Sequence, residues 1–354
     1  MNNKIKWLRD KIKVQNMQGF IITNPINIKY LIGIDAEGIL LLTRKENIFI
    51  TDGRYIEHVR STLTIDDEIV VMDFKDLSLE DYENFFIFCE NVGFEENYMT
   101  YAKYKDYKQK FKINNFEETE NIIENQRMIK DEYEIEKIKK ACEITDKCFE
   151  YLVSYIKPGM TEIQISDEIT KFFKENGADG LAFETIVAAG VNSSKPHAVP
   201  SNKQIIEGEP ITIDMGCKYQ GYCSDMTRTV FVKDVPQCVK DVYNIVLKNQ
   251  INVNEQMKDG EQIKGICKNL ESDFKVNGFD LIHALGHGVG LEIHENPVLS
   301  SRNDLVLKEN MIVTNEPGIY IPGQFGIRIE DTVLITKEGC INLTKSNKNY
   351  TIVG

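Results

Sequence analysis

The sequence predicts a mixed α/β (α+β) chain of two domains, a smaller one over residues 1–125 and a larger one over residues 126–354. Three observations carry that expectation. With 354 residues and 42% hydrophobic side chains, the chain exceeds one compact domain of ordinary size and can fill more than one core. Short strand-like and helical runs alternate through the first third, then give way to long amphipathic helices. The second part also carries an internal repeat at an offset of 101 to 102 residues.

In the smaller domain the apolar run Gly19–Thr23 is stopped by Asn24-Pro25, and Gly38–Thr43 and Ile48–Thr51 read as further strands before the turn-like DGRY at Asp52–Tyr55. A polar segment near Asn114–Asn125 marks the change of texture. From Asp131, the positions Ile135, Ile138, Cys142, Thr145, Phe149 and Leu152 recur at helical spacing until Pro158-Gly159 ends the run. Thr161 and Gln164 then form a capping-box pattern, opening a helix with Ile165, Ile169 and Phe172 that closes at Asn176-Gly177. The repeat follows: FKENG at Phe173–Gly177 returns as FKVNG at Phe274–Gly278, Pro158-Gly159 as Asp259-Gly260, and TIDMG at Thr212–Gly216 as TNEPG at Thr314–Gly318. The expected unit is two helices and a β-hairpin, used twice, each copy bringing carboxylates to a shared centre.

Within Pro210–Gly216, alternation buries Ile211, Ile213 and Met215 and shows Asp214 on the other face, while Tyr222–Val232 places Asp225, Thr227 and Thr229 together. A two-residue loop at Tyr219-Gln220 would set Asp214 opposite Asp225, about 5 Å apart between Cβ atoms, where like charges repel unless a cation lies between them; a bulge at Gly221 would shift that register. In the second copy Glu316 sits in a β-like run from Met311, and Arg328, Glu330 and Thr332 share a face of Gly326–Ile335, with Asp331 among the apolar side chains. An acid on a strand is by itself an ordinary solvated residue; the joint placement of four points to metal. Between the acidic pairs lie His283, His287 and His294, three of the chain's five histidines. Gly286, Gly288 and Gly290 argue against a helix there, so one histidine is expected as a ligand and the others as substrate contacts. His58 reads as an ordinary surface side chain, and His197 lies in a loop, Ser193–Pro200.

Lys+Arg of 42 against Asp+Glu of 55 gives a formal net charge of -13, which disfavours nucleic acid and anionic membrane as partners. The charged amphipathic N-terminus lacks a signal-type apolar core, and no apolar run approaches about 18 residues, so a soluble, cytoplasmic protein is expected. The eight cysteines are scattered without CxxC pairs and are expected as reduced thiols; Cys217 and Cys223, which flank the aspartates, are expected to pack rather than ligate.

At these residues the sequence resembles the proline-specific branch of the pita-bread metallopeptidases, the Xaa-Pro aminopeptidases and Xaa-Pro dipeptidases (prolidases). NPINIKYLIGI, GILLLT and TDGRY are similar to the creatinase-like N-terminal domain of that family. VNSSKPHAVPS, IDMG, GYCSDMTRT, HALGHGVGLEIHE, NEPGIY and GIRIEDTVLIT follow in family order, so the resemblance covers nearly the whole chain. It implies a pita-bread catalytic domain holding two divalent metal ions, with Asp225 and Glu330 as bridges, Asp214 on one ion alone, and His287 and Glu316 on the other. His197, His283 and His294 match histidines lining the substrate site, and Arg328 matches an arginine beside the centre. A homodimer and small proline-containing peptide substrates go with the same resemblance.

Two cations about 3.5–4 Å apart would activate a water and polarise the scissile carbonyl. Four carboxylates and one imidazole make a hard site, which favours Mn²⁺ first, with Co²⁺ or Zn²⁺ as alternatives. Glu316 is the expected proton shuttle, with His197 and His294 contacting the developing charge or leaving group. Proline's nitrogen carries no hydrogen, so the bond in front of it demands a pocket shaped for the ring. Tyr320–Phe325 offers no extra base to hold a dipeptide's carboxylate and leaves Arg328 as the obvious clamp, so the sequence favours an aminopeptidase with an open exit over a dipeptidase. A metal-free binding module or a creatinase-like hydrolase would be expected to have lost ligands, and all five are present.

Overall fold

The computed structural model describes residues 3–63 and 68–354, and the chain divides into a unit ending at Arg127 and a second unit, Met128–Gly354. In the first, strands β1 (Gly19–Ile22), β2 (Ile39–Leu42), β3 (Asn47–Thr51), β4 (Ile69–Asp73), β5 (Asn91–Glu95) and β6 (Asn115–Thr119) form one sheet in the order β4-β3-β2-β1-β5-β6. The meander β1-β2-β3 is antiparallel; β4 pairs with β3, β5 with β1 and β6 with β5 in parallel. Every residue of β1, β2 and β3 is buried, which is why these strands read as continuous apolar runs.

The helices of this unit are α1 (Asn3–Val14), α2 (Pro25–Ile32), α3 (Ile56–Thr62), α4 (Leu79–Phe85), α5 (Tyr101–Lys110) and α6 (Ile122–Arg127). Asn24, which stops the first apolar run, caps α2: its side chain accepts from the Ile26 N–H at 3.0 Å, and Pro25 takes a first-turn position where a missing N–H costs nothing. The polar segment near Asn114–Asn125 is itself structured, as β6 and the start of α6. It reads as polar because only Phe116 and Thr119 of β6 are buried. The division after Arg127 leaves α6 whole.

The second unit is built twice over. Its first half holds α7 (Glu132–Tyr155), α8 (Glu162–Glu175), β7 (Gly180–Leu181), β8 (Ile186–Ala189), β9 (Pro210–Met215), β10 (Cys217–Tyr219), β11 (Tyr222–Cys223) and β12 (Met226–Val232). Its second half holds α9 (Gln237–Gln256), α10 (Ile263–Val276), β13 (Gly286–Gly288), β14 (Glu295–Leu299), β15 (Ile312–Asn315), β16 (Gly318–Ile321), β17 (Phe325–Arg328), β18 (Asp331–Ile335) and β19 (Cys340–Asn342), and β20 (Ile352–Val353) returns to pair with β12. The main sheets run β20-β12-β9-β8 and β14-β13-β15-β18-β19.

The repeat seen in the sequence is a repeat of conformation. Gly159 and Gly260 both have φ +89°, and Gly177 and Gly278 have +83° and +81°, left-handed values that glycine adopts without strain. Isolated bridges tie Thr161 to Gln204 and, in the other half, Gln262 to Val306. Each half has its own core, one around Phe149, Ile165, Ile213 and Val230, the other around Val246, Ile266, Val313 and Val333. Both the Asp131/Glu134 and the Thr161/Gln164 capping boxes form, at the starts of α7 and α8.

The hairpin register differs from the expected one. The turn is Gln220-Gly221, with φ of +47° and +84°, and it pairs Tyr219 with Tyr222 and Lys218 with Cys223. A tight two-residue turn of this hand needs positive φ at both positions, so the glycine takes the second of them. Asp214 consequently faces Thr227, and Asp225 lies diagonal to it, in the break Ser224-Asp225 between β11 and β12.

Candidate metal centre

Each half delivers one acid from the end region of a strand and one from an interruption. Asp214 is on β9 and Asp225 in the break before β12; Glu316 directly follows β15 and Glu330 sits in the break Ile329-Glu330 before β18. The two breaks are laced to each other. The Glu330 N–H donates to the Thr227 carbonyl at 3.0 Å, the Thr227 hydroxyl donates to Glu330 Oε2 at 2.6 Å, and the Thr332 hydroxyl donates to the Asp225 carbonyl at 2.8 Å. Thr227 and Thr332 each stand two residues beyond an acid, so the lacing follows the internal repeat. As at a β-bulge, an interruption of this kind re-aims a side chain that regular pairing would fix.

His287 enters on β13. A Cβ at Gly286 would lie 2.1 Å from the Thr314 carbonyl oxygen, so a glycine is needed for this close approach to β15. The His287 N–H donates to the Thr314 hydroxyl at 3.1 Å and the ring Nδ1 to the Gly288 carbonyl at 3.1 Å. That bond fixes the tautomer and leaves the Nε2 lone pair facing the acids, 3.4 Å from Asp225 Oδ2 and 3.5 Å from Glu316 Oε1. Donor atoms of Asp225, His287 and Glu330 lie within 4.8 Å of one another, and Asp214 and Glu316 line the same cleft of about 840 Å³. The fold thus brings the five expected ligand positions to one floor.

Burial first, and then repulsion from Asp214 and Glu316, joined for Asp225 by that from Glu330, hold the Asp225 and Glu330 carboxyls well above the usual carboxylate range. Burial pushes Glu316 up to about 8 and His287 down to about 4. Asp214 Oδ1 is buried without a hydrogen-bond partner. Acids that resist ionising together, an orphaned buried oxygen and an imidazole lone pair turned toward carboxyl oxygens form a donor set that suits divalent cations.

Arg328 is heavily engaged around this floor. Its guanidinium pairs with Asp214 Oδ2 at 2.7 Å and donates to the Tyr320 hydroxyl at 2.7 Å, Thr227 Oγ1 at 3.0 Å and the Pro196 carbonyl at 3.2 Å. Four of its five N–H donors are therefore committed within the protein, which leaves little of it for a substrate carboxylate. His283 is similarly occupied: Nδ1 donates to the Ala284 carbonyl at 2.7 Å, and Nε2, 3.1 Å from the Tyr320 oxygen, accepts from that hydroxyl. Burial holds its pKa down to about 4, so it is a neutral wall of the cleft. His294 packs edge-on to His287 with ring centroids 4.4 Å apart, and His197 lines the cleft from an exposed loop position.

Three residues of the site receive no role there from the sequence: Thr227 is visible as a neighbour of Asp225 on one face, Thr314 as the start of the repeated TNEPG, and Tyr320 as part of NEPGIY and of the Tyr320–Phe325 exit segment. Asp331, expected among apolar side chains, is indeed fully buried but as a charged residue: it pairs with Arg228 at 2.7 Å, contacts Lys348 and accepts from Gln250 at 2.9 Å. Arg228 in turn donates to the Glu330 carbonyl, so this network also fixes the backbone of an acid in the cleft. All eight cysteines are free; Cys217 and Cys223 are buried, and burial pushes the Cys223 thiol up to about 12.

Residues 136–337 match the model of metallopeptidase family M24. The chain belongs to that family. Residues 4–129 match the creatinase/prolidase N-terminal domain. The chain is 35% identical to an Xaa-Pro dipeptidase of Pyrococcus horikoshii, covering 98% of each sequence. Among solved structures it resembles an Xaa-Pro dipeptidase from Bacillus anthracis, at 36% identity and TM-score 0.93 with 99% of both chains covered. An X-Pro aminopeptidase from Thermotoga maritima is similar at 32% identity and TM-score 0.88, covering 97% of this chain and 100% of that one. The chain is accordingly a metallopeptidase with the pita-bread fold, a hydrolase of the aminopeptidase or dipeptidase type. The family depends on divalent metal. Among the described residues, no helix is long and apolar enough to cross a membrane.

Proposed function

We propose that this metallopeptidase hydrolyses Xaa-Pro dipeptides. The observation that carries the chemistry is the cluster of four carboxyls and one imidazole on the floor of a cleft lined by three further histidines. The choice of dipeptides is supported by similarity to the Pyrococcus horikoshii and Bacillus anthracis dipeptidases, which is somewhat greater than that to the Thermotoga maritima aminopeptidase. It replaces the aminopeptidase reading of the sequence, which rested on the lack of a basic residue in Tyr320–Phe325.

In this proposal Asp214, Asp225, His287, Glu316 and Glu330 would hold two divalent ions, with Mn²⁺ the best fit to so oxygen-rich a set. When bound, the ions supply Lewis-acid activation of water and of the scissile carbonyl. The protein's own residues do the rest. Glu316, held by Thr314, takes a proton from the attacking water and passes it to the prolyl nitrogen as the C–N bond breaks. His197 and His294 supply hydrogen bonds to the developing charge. Arg328, braced by Tyr320 and Thr227, fixes Asp214 and neutralises part of the acidic floor. His283, backed by Tyr320, forms an uncharged wall beside the ring. A cytoplasmic homodimer completes the proposal, and sedimentation of the purified protein tests its oligomeric part.

The deciding experiment compares Xaa-Pro, Xaa-Pro-amide and Xaa-Pro-Xaa peptides with metal-reconstituted enzyme, products identified. Efficient cleavage of the free dipeptide, with loss on amidation, is expected. Tripeptides cleaved at least as well as dipeptides, by kcat/KM, would return the enzyme to the aminopeptidases while leaving the metal chemistry in place.

A further inference from the structure

We infer that Glu162 is a positioning residue for His197, clamping both ends of the loop that presents it; the inference rests on the substrate role proposed above for His197. Glu162 is the first residue of α8 and is fully buried. Its Oε1 accepts from the Ala189 N–H at 2.7 Å and from Asn192 Nδ2 at 3.0 Å. Its Oε2 accepts from the Ser201 N–H at 3.0 Å, the Ser201 hydroxyl at 2.7 Å and Asn192 Nδ2 at 3.1 Å. Ala189 is the last residue of β8, where the loop leaves the sheet, and Ser201 is where it comes back against α8. One carboxylate thus closes a loop whose far side carries His197.

The middle of the loop is tied to the metal side of the cleft, through Gly326 N–H to Ser193 Oγ at 2.9 Å and Arg328 to the Pro196 carbonyl at 3.2 Å. At the tip the backbone is held, with Ala198 buried, while the flanking side chains project outward: His197 is exposed and Val199 is 82% exposed. The exposed imidazole has little packing of its own, so its position follows the backbone that the anchors hold.

The internal repeat shows that the fold does not require this acid. The equivalent first residue of α10 is Ile263, also buried, and it makes the matching backbone bond: Glu162 N–H donates to the Lys203 carbonyl at 3.2 Å, Ile263 N–H to the Leu305 carbonyl at 3.1 Å. An apolar side chain serves the helix pair in that copy. Burying a carboxylate in the other is costly unless it is fully hydrogen-bonded, and every donor it engages belongs to the His197 loop.

Glu162→Gln keeps the volume but turns an amide donor toward N–H or O–H donors. It should retain fold and metal content, lower kcat by on the order of 10–100-fold with a smaller change in KM, and add nothing further in a His197→Ala background. A folded Glu162→Gln enzyme with unchanged kcat, or one whose loss simply multiplies with that of His197→Ala, overturns the inference. Should Glu162→Gln not fold, Asn192→Ala and Ser201→Ala carry the same cycle, with smaller losses that vanish in the His197→Ala background expected and silent or multiplying losses contrary. A fully active His197→Ala enzyme would remove the role of His197, and that of Glu162 with it; an impaired His197→Ala beside a silent Glu162→Gln sinks the clamp alone.

Discussion

Thr227→Val tests whether the reciprocal lacing of the two strand breaks shapes the metal centre. The hydroxyl is fully buried, donates to Glu330 Oε2 at 2.6 Å and accepts from Arg328 Nε at 3.0 Å. Valine keeps the shape and leaves both groups buried without that partner. The lost bond to the Arg328 guanidinium costs about 1.5–3 kcal/mol and that to the Glu330 carboxyl at least about 0.5–1.5 kcal/mol, and the added apolar methyl returns up to about 0.8 kcal/mol. A net destabilisation of about 1–4 kcal/mol should lower the Tm of the metal-stripped protein by about 2–16 °C, given about 2–4 °C per kcal/mol for domains of this size. Metal affinity should fall about 10–100-fold, as expected when a ligand loses the group that orients it. Calorimetric titration of Mn²⁺ into stripped protein reads the affinity, differential scanning fluorimetry reads the Tm, and Thr227→Ser, which keeps the hydroxyl, should behave as wild type. A Thr227→Val protein with unaltered Tm and metal affinity would refute the lacing as a determinant of the site.

Chelation should abolish activity and added Mn²⁺ or Co²⁺ should restore it; full turnover in protein shown by elemental analysis to be metal-free would end the metal proposal. Asp225→Asn should lose metal because a shared charge is gone, whereas His197→Ala should retain metal and lose turnover, and equal metal loss in both would place His197 in the metal site. The metal-stripped protein should lose stability as pH rises from about 6.5 toward about 8.5. The sign follows from Glu316, whose folded pKa of about 8 lies above its ordinary value of 4.5: its contribution is complete below 4.5 and is lost as pH rises through 8. His283 and His287, held down to about 4, act in the opposite sense only below 6.5, so the upper window reads the carboxyls, and a Tm rising across it would contradict the assigned burial.

Much of the second unit was legible because its signals are local. The spacing from Ile135 to Leu152, the Thr161/Gln164 box and the glycines at 159, 177, 260 and 278 report dihedral preferences and periodicity, which act over a few residues wherever the chain later goes. The candidate ligand positions were legible as residue types in order, and the glycines around His287 argued against a helix, in keeping with the strand Gly286–Gly288. The hairpin register was missed although a signal existed: Gly221 is the residue suited to the second position of a tight turn, and choosing it moves the loop to Gln220-Gly221.

Composition and pattern by themselves determined a two-part α/β chain, a duplicated catalytic half and a set of acids and histidines suited to divalent metal. The tertiary structure alone decided how those groups are poised. It placed Thr227 against Glu330, spent Arg328 on Asp214 and Tyr320, paired Asp331 with Arg228, and turned Glu162 into the closure of the His197 loop. These partners are 8 to 114 residues apart in sequence, and most of them more than 25. Such contacts depend on which faces of two halves meet, a property of the folded register that no local preference encodes, whereas a helix, a cap or a turn is set by the few residues that form it.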